Sequence, residues 1–216
     1  MTAADAFLAE LDASNAAALE RIGCAAAAEP DASIGVASLL LLALKNEIEA
    51  TECAAGWIAT TPEIDVKLAL ARQAGDEAKH FRLIQRRLEE IGGDGAPFDP
   101  LPPSPMLTYL SSLGTTVERV AAGQFTREAL AVVRNEEFIR FCVSRGDETT
   151  AALYRDVIQP DERHHHELGR SLLAKLAVDD ATREAARRAA KKTLDLAEEL
   201  QEIARMKRGV SRAPGC

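Results

Sequence analysis

The chain has 216 residues, 47% of them hydrophobic and 28% charged, with a formal net charge of −8. That length suits one domain with a substantial core, or at most two small ones, and the apolar fraction excludes disorder over the whole chain. Forty alanines against 4% aromatics argue against a β-sandwich or barrel, because alanine is the best helix former and strand-favouring aromatics are scarce.

The first segment, Ala3 to about Ala28, is alanine-rich and reads as one helix or two short ones. Glu29-Pro30-Asp31 breaks it, and Ser33 is placed to cap the next helix, Ile34 to Ala59. Thr60 to Glu63 is a tight connection, with Thr61 as N-cap and Pro62 at the first helical position. A third helix runs from Pro62 to Ile91 and stops at Gly92-Gly93. Residues 92–105 hold five of the nine prolines and form the one long loop. Met106 to Ala122 follows as helix, with Gly123 as a kink or interruption, and Gln124 to Arg145 continues it. After the Gly146-Asp147 turn a helix runs from about Glu148 to Ala177, and Pro160 inside it predicts a kink near Asp156 to Ile158. The last helix spans Asp180 to about Lys207. No strand pattern appears. The fold class is therefore all-α: an antiparallel four-helix bundle over residues 31–178, an N-terminal helical extension over 1–30, and a C-terminal helix and tail over 179–216, one domain overall.

Partners and compartment are bounded by charge and cysteines. The acidic balance argues against nucleic acid as a main partner, since phosphate contacts need clustered Lys and Arg. Basic residues between Arg183 and Arg208 interleave with Glu184, Asp195, Glu198, Glu199 and Glu202, which reads as a solvated helix face. Cys24, Cys53, Cys142 and Cys216 include no CxxC pair, so they read as reduced thiols in a cytoplasmic protein. Asp5 and Glu10, with no basic run, predict no signal peptide. The most apolar run, Ser38 to Leu44, ends at Lys45, short of the ~20 residues of a membrane span.

Two copies of Glu-x-x-His carry the chemistry: Glu77-Ala78-Lys79-His80 and Glu162-Arg163-His164-His165. On a helix, i and i+3 share a face, so carboxylate and imidazole reach one ion. Steps of three and four from Glu77 meet Leu70, Ala74, Phe81, Ile84 and Leu88; from Glu162 they meet Ile158, Leu168, Leu172 and Leu176. Both motifs thus sit on core-facing stripes, where a lone charge is costly and a metal supplies the missing cation.

The other two helices of such a bundle should each supply one Glu. Glu77 lies 15 residues after Pro62, and Glu47 lies 15 before it, on a stripe with Leu40, Leu44, Ala54 and Ile58. Glu49 and Glu52 share a face with Lys45 and Asn46 and read as solvated. In the second hairpin Glu162 lies 16 residues after Gly146, Glu128 lies 18 before it and Glu136 only 10 before. The axial error for Glu136 is about 9 Å, so Glu128 is preferred, with a kink or offset turn able to reverse the choice; Glu118 is further off. The predicted ligand set is Glu47, Glu77, His80, Glu128, Glu162 and His165. Glu77 and Glu162 are expected to bridge two metals, each with one terminal His. Nitrogen and oxygen ligands without thiolates suit iron or manganese better than structural zinc. His164 and His166 point to other faces. Tyr109, Tyr154 and Trp57 read as packing residues, and Arg72 and Arg134 as candidates to pair with ligand carboxylates. The plainer alternative is an α-bundle with two chance matches, but both motifs lie inward and each has a partner at hairpin spacing.

The ligand set resembles that of the ferritin-like di-iron carboxylate superfamily over about Ile34 to Ala177. Asp76-Glu77-Ala78-Lys79-His80-Phe81 resembles the tRNA-modifying hydroxylases of that superfamily, and also bacterial ferritin-like proteins without an assigned role. Rubrerythrin is disfavoured because no four-cysteine iron module is present. Val117 to Phe125 is distinctive, and the sequence attaches no particular function to it. The resemblance implies a ferritin-like fold holding two iron ions, with manganese or a mixed Mn/Fe pair as variants. It implies an oxidoreductase that activates O₂ on a small organic substrate or modified nucleoside, with an electron donor, and keeps tRNA open as a partner. A homodimer and no membrane association are expected. The alternatives are iron handling (ferroxidase or storage) and a metal-stabilised interaction protein without turnover.

Overall fold

A computed structural model describes residues 3–27, 34–93, 102–208 and 214–215. The Glu29-Pro30-Asp31 break, the Ser33 cap, Cys216 and most of the proline-rich loop lie outside the described residues. Among the described residues every regular element is helical. In chain order these are α1 (Ala3–Ala27), α2 (Val36–Ile58), α3 (Ile64–Glu90), α4 (Pro105–Ser111), α5 (Thr116–Val120), the π-helical segment π1 (Ala121–Arg127), α6 (Glu128–Ser144), α7 (Glu148–Leu153), a second π segment π2 (Tyr154–Ile158), α8 (Gln159–Leu176) and α9 (Asp180–Arg208).

Local chemistry sets the boundaries and moves several of those expected. α3 starts at Ile64, not Pro62, with Glu63 as N-cap. Thr61 is no cap: its hydroxyl donates to Trp57 O at 2.9 Å and closes the end of α2 instead. The break expected at Gly123 falls between Ser112 and Thr115. Thr115 caps α5 through a reciprocal capping box with Glu118, which restarts the helix. The helix then runs through Gly123 without a break. The glycine is needed for a neighbour, since a Cβ there would lie 2.8 Å from the Trp57 ring.

The irregularity near Pro160 takes the form of π2. Proline has no N–H to donate one turn back, and the wider turn at Tyr154–Ile158 absorbs the mismatch. Asp147 caps α7 by accepting from Thr150 N at 3.0 Å. Arg87 at the end of α3 donates to both Asp147 (2.9 Å) and Thr150 (2.8 Å), which ties the two helices together.

α2 packs along α3, α3 and α6 both touch α8, and α8 and α9 lie against π1. At Gly169 the α8 backbone comes so close to π1 that a Cβ would sit 2.6 Å from the Gln124 carbonyl carbon. The core divides into two apolar clusters. One contains Cys53, Ala54, Trp57, Leu70, Phe125 and Leu172, and extends over α1 and α9. The other contains Leu40, Leu44, Ile84, Leu88, Phe138, Tyr154 and Ile158. Along α2, Leu44 and Cys53 belong to different clusters; along α3, so do Leu70 and Ile84; and so do Ile158, the last residue of π2, and Leu172 of α8. A polar layer separates them, and the candidate ligands lie in it.

Two glycines should respond oppositely to substitution. Gly169→Val forces side-chain atoms into the π1 backbone and should cost about 1–3 kcal/mol. Gly56→Ala lies on an exposed helical site with open space and should gain up to ~1 kcal/mol. Urea unfolding of the two variants checks both signs.

Candidate metal centre

The polar layer brings all six candidate ligands together. Glu47 (α2), Glu77 and His80 (α3), Glu128 (first residue of α6), and Glu162 and His165 (α8) are each at most 2% exposed. Their ligand atoms form two groups. Glu47, Glu77, His80 and Glu162 each place one within 4.8 Å of the others, and so do Glu77, Glu128, Glu162 and His165. Glu77 and Glu162 belong to both groups, which is the arrangement two bridging carboxylates require.

The separations suit ions rather than direct bonds. His80 Nδ1 lies 3.3 Å from Glu77 Oε2, 3.5 Å from Glu47 Oε2 and 3.7 Å from Glu162 Oε1. His165 Nδ1 lies 3.7 Å from Glu77 Oε1 and Glu162 Oε2 and 3.8 Å from Glu128 Oε2. An ion about 2.1 Å from each ligand atom leaves those atoms roughly 3–4 Å apart, according to the angle between them. Both oxygens of Glu77 and of Glu162, and the Nδ1 atoms of both histidines, are buried without a hydrogen-bond partner. Orphaned buried acceptors aimed at one another are the expected signature of ligands converging on cations.

Each histidine is oriented from behind by a carboxylate of the opposite motif. His80 Nε2 meets Asp161 Oδ2 at 3.0 Å, and His165 Nε2 meets Asp76 Oδ2 at 3.1 Å. Such a contact places the proton on Nε2 and leaves Nδ1 free to ligate. Lys79 supports Asp161 at 3.1 Å, and Arg72 supports Asp76 at 3.3 Å. Arg72 therefore acts one step behind the ligands, on Asp76, rather than on a ligand carboxylate. Gln73 donates to Glu128 Oε1 at 2.5 Å.

Ligand spacing alone does not single out Asp76, Asp161 or Gln73, although the sequence carries a signal for them. Both motifs read Asp-Glu-x-x-His, so the preceding Asp repeats at residues 76 and 161. Gln73 lies one turn before Glu77 on the same stripe.

Other candidates fall elsewhere. Glu136 is 45% exposed and pairs with Arg140, and Glu118 belongs to the α5 cap. Glu49 is not solvated as expected. It is buried, accepting from Ser104 N at 2.8 Å, Ser104 Oγ at 2.5 Å and Lys45 Nζ at 2.5 Å, because the N-terminus of α4 folds over it. His166 stacks on Phe125 and bonds its carbonyl through Nδ1 at 2.7 Å. Tyr109 donates to Ala189 O, whereas Tyr154 is wholly buried edge-on to Phe138. Cys53 and Cys142 are buried thiols pushed up to about 12 by desolvation, which suits neither for thiolate ligation.

Without metal, the carboxylates and imidazoles share protons. Burial pushes Glu77 up to about 7 and Glu162 well above the ordinary carboxyl range, with the neighbouring carboxylates adding to it. Burial opposes charge on the histidines too, but the surrounding carboxylates outweigh it and carry His80 up to about 12 and His165 up to about 9. Burial also disfavours the Glu128 anion, yet Glu162 and His165 outweigh it and hold Glu128 down to about 2. Protons thus do the work of cations, and a metal displaces them on binding.

No protein-family profile, curated protein or solved structure matches the chain. No described helix is long and apolar enough to cross a membrane.

Asp76→Asn and Asp161→Asn should each weaken metal binding about 10- to 100-fold, while Glu136→Ala leaves it unchanged, as read by metal titration. In the metal-free chain, the stability from His165 is complete below its unfolded value of about 6.5 and is lost as pH rises through about 9. Glu77 acts in the same direction between 4.5 and about 7. The chelated protein should therefore melt at a lower temperature at about pH 9 than at about pH 6, and added metal should recover the loss, as read by calorimetry.

Proposed function

We propose that this chain is a ferritin-like di-iron carboxylate protein that activates O₂ to oxidise a small organic molecule or modified nucleoside. The four helices of the bundle are then α2, α3, the continuous α5–π1–α6 and the α7–π2–α8 unit, with α1 and α9 as additions. One observation carries the reading: two buried groups of three carboxylates and one histidine share Glu77 and Glu162, between two apolar clusters. Oxygen-rich ligation with a single imidazole per ion favours iron, with manganese or a mixed pair as variants, over zinc. Iron bound there would supply the redox chemistry that amino acids lack.

The chain's own residues do the rest. Glu47, Glu77, His80 and Glu162 would hold one ion, and Glu77, Glu128, Glu162 and His165 the other. Asp161 and Asp76 fix the histidine tautomers, and Gln73 fixes the Glu128 carboxylate. The apolar clusters on both sides exclude water and protect reactive species from side reactions. The proposed setting is the cytoplasm, with a separate electron donor.

The near-total burial of the ligands favours a second reading, ferroxidase or storage, in which the iron itself is the substrate. Metal analysis of aerobically purified protein should give close to two iron or manganese per chain, and Glu162→Ala should abolish both. Zero metal would sink the proposal. Rapid-mixing absorbance after O₂ addition to the ferrous form tests oxygen activation. Size-exclusion chromatography separates the readings: a monomer or dimer supports the oxidoreductase, and a large cage supports storage.

A further inference from the structure

Beside Glu47 lies a feature that the ligand geometry does not use. Pro214 and Gly215, far along the chain from α2, are buried against it. The Pro214 carbonyl accepts from Asn46 Nδ2 at 2.8 Å, and the Gly215 N–H donates to Asn135 Oδ1 at 2.9 Å. The carbonyl and the N–H belong to one peptide group. Two asparagines, on α2 and α6, therefore hold a single amide by its acceptor and its donor.

The residue at 215 has to be glycine. Its φ is +82°, and a Cβ would lie 3.3 Å from Glu47 Oε1 and 3.3 Å from Asn46 Cβ. Asn135 is wholly buried, and its Nδ2 has no hydrogen-bond partner. The two side chains carry two amide nitrogens and two amide oxygens, and the peptide group uses one of each: the Asn46 nitrogen and the Asn135 oxygen.

We propose that Asn46 and Asn135 form an amide-binding clamp, and that the Pro214–Gly215 peptide group filling it is a removable closure over the Glu47 side of the metal centre. The clamp recognises a secondary amide: a carbonyl and an N–H of one planar group, with no side chain at the position facing Glu47. The chain's own segment is its resident ligand, and leaving would expose the Glu47 carboxylate. The closure half of the proposal rests on the metal-centre reading, whereas the clamp half does not.

The two halves are tested separately. Amide hydrogen exchange of Gly215, followed by NMR in the chain with and without metal, should show protection that Asn135→Ala removes. Exchange at the free-peptide rate in the unmodified chain overturns the clamp. Protection that survives Asn135→Ala overturns it as well. Loss of one hydrogen bond of ordinary net strength corresponds to about tenfold. A chain ending at residue 208, and separately Gly215→Val in the full chain, should therefore release iron to a chelator about tenfold faster or more. Acetyl-Ala-Pro-Gly-amide added to the shortened chain should slow release again. Unchanged release from both variants overturns the closure. A chain that binds no metal, yet keeps Gly215 protected through Asn135, overturns the metal reading and leaves the clamp standing.

Discussion

Four carboxylates buried side by side between two apolar clusters set the terms for everything else in this protein. A carboxylate taken out of water needs a cation or a proton, and neither apolar cluster supplies one. Two imidazoles within 4 Å and the buried Arg127 guanidinium, which favours the Glu128 anion, supply part of the compensation, and protons or a metal ion could supply the remainder. The layer is thus an unfavourable element of the fold in isolation and a site able to hold a metal ion. Apolar packing above and below holds it closed, from Leu44, Ile84 and Phe138 on one side to Ala54, Leu70 and Phe125 on the other.

The crossing of the two motifs gives the site its geometry. Asp76 precedes Glu77 but orients His165, and Asp161 precedes Glu162 but orients His80. Each histidine is therefore aimed only when α3 and α8 are docked. Any metal held there would couple its binding to the packing of the two halves, because the candidate ligands gathered in the folded state are dispersed in the unfolded one. Lys79 and Arg72 neutralise the two supporting aspartates at the edge of the layer, so negative charge does not accumulate from inside to outside.

The π segments serve the same layer. π1 ends one residue before Glu128, and π2 ends four before Glu162. A π turn rotates the next stretch of helix about its axis and so re-aims side chains without breaking the helix. π1 also receives the close backbone of α8 at Gly169 and the ring of Trp57 at Gly123, which locks the turn preceding Glu128. Beside Glu47, the Pro214–Gly215 peptide group is held by Asn46 of α2 and Asn135 of α6, so residues far along the chain from Glu47 also pack against the layer.

Much of this was legible in the residues alone, because helices impose strict spacing. The period of three and four placed Glu77, His80, Glu162 and His165 on apolar stripes, and 1.5 Å per residue placed Glu47 and Glu128 at the same depth. The alanine excess and the scarcity of aromatics determined the all-helical class. Spacing says nothing about contacts between helices, however. Whether Asp76 serves its own histidine or the other one, whether Glu49 faces water or Ser104, and whether Gly123 breaks a helix or makes room for Trp57 depend on which surfaces meet. The same holds for residues 214 and 215, more than 160 positions from Glu47 in the chain and in contact with its helix in the fold. The residues alone set the helices, their inward faces and the six candidate ligands those faces carry. Only tertiary packing decided how the ligands are supported and enclosed, because those contacts depend on distance in space, which local periodicity does not encode.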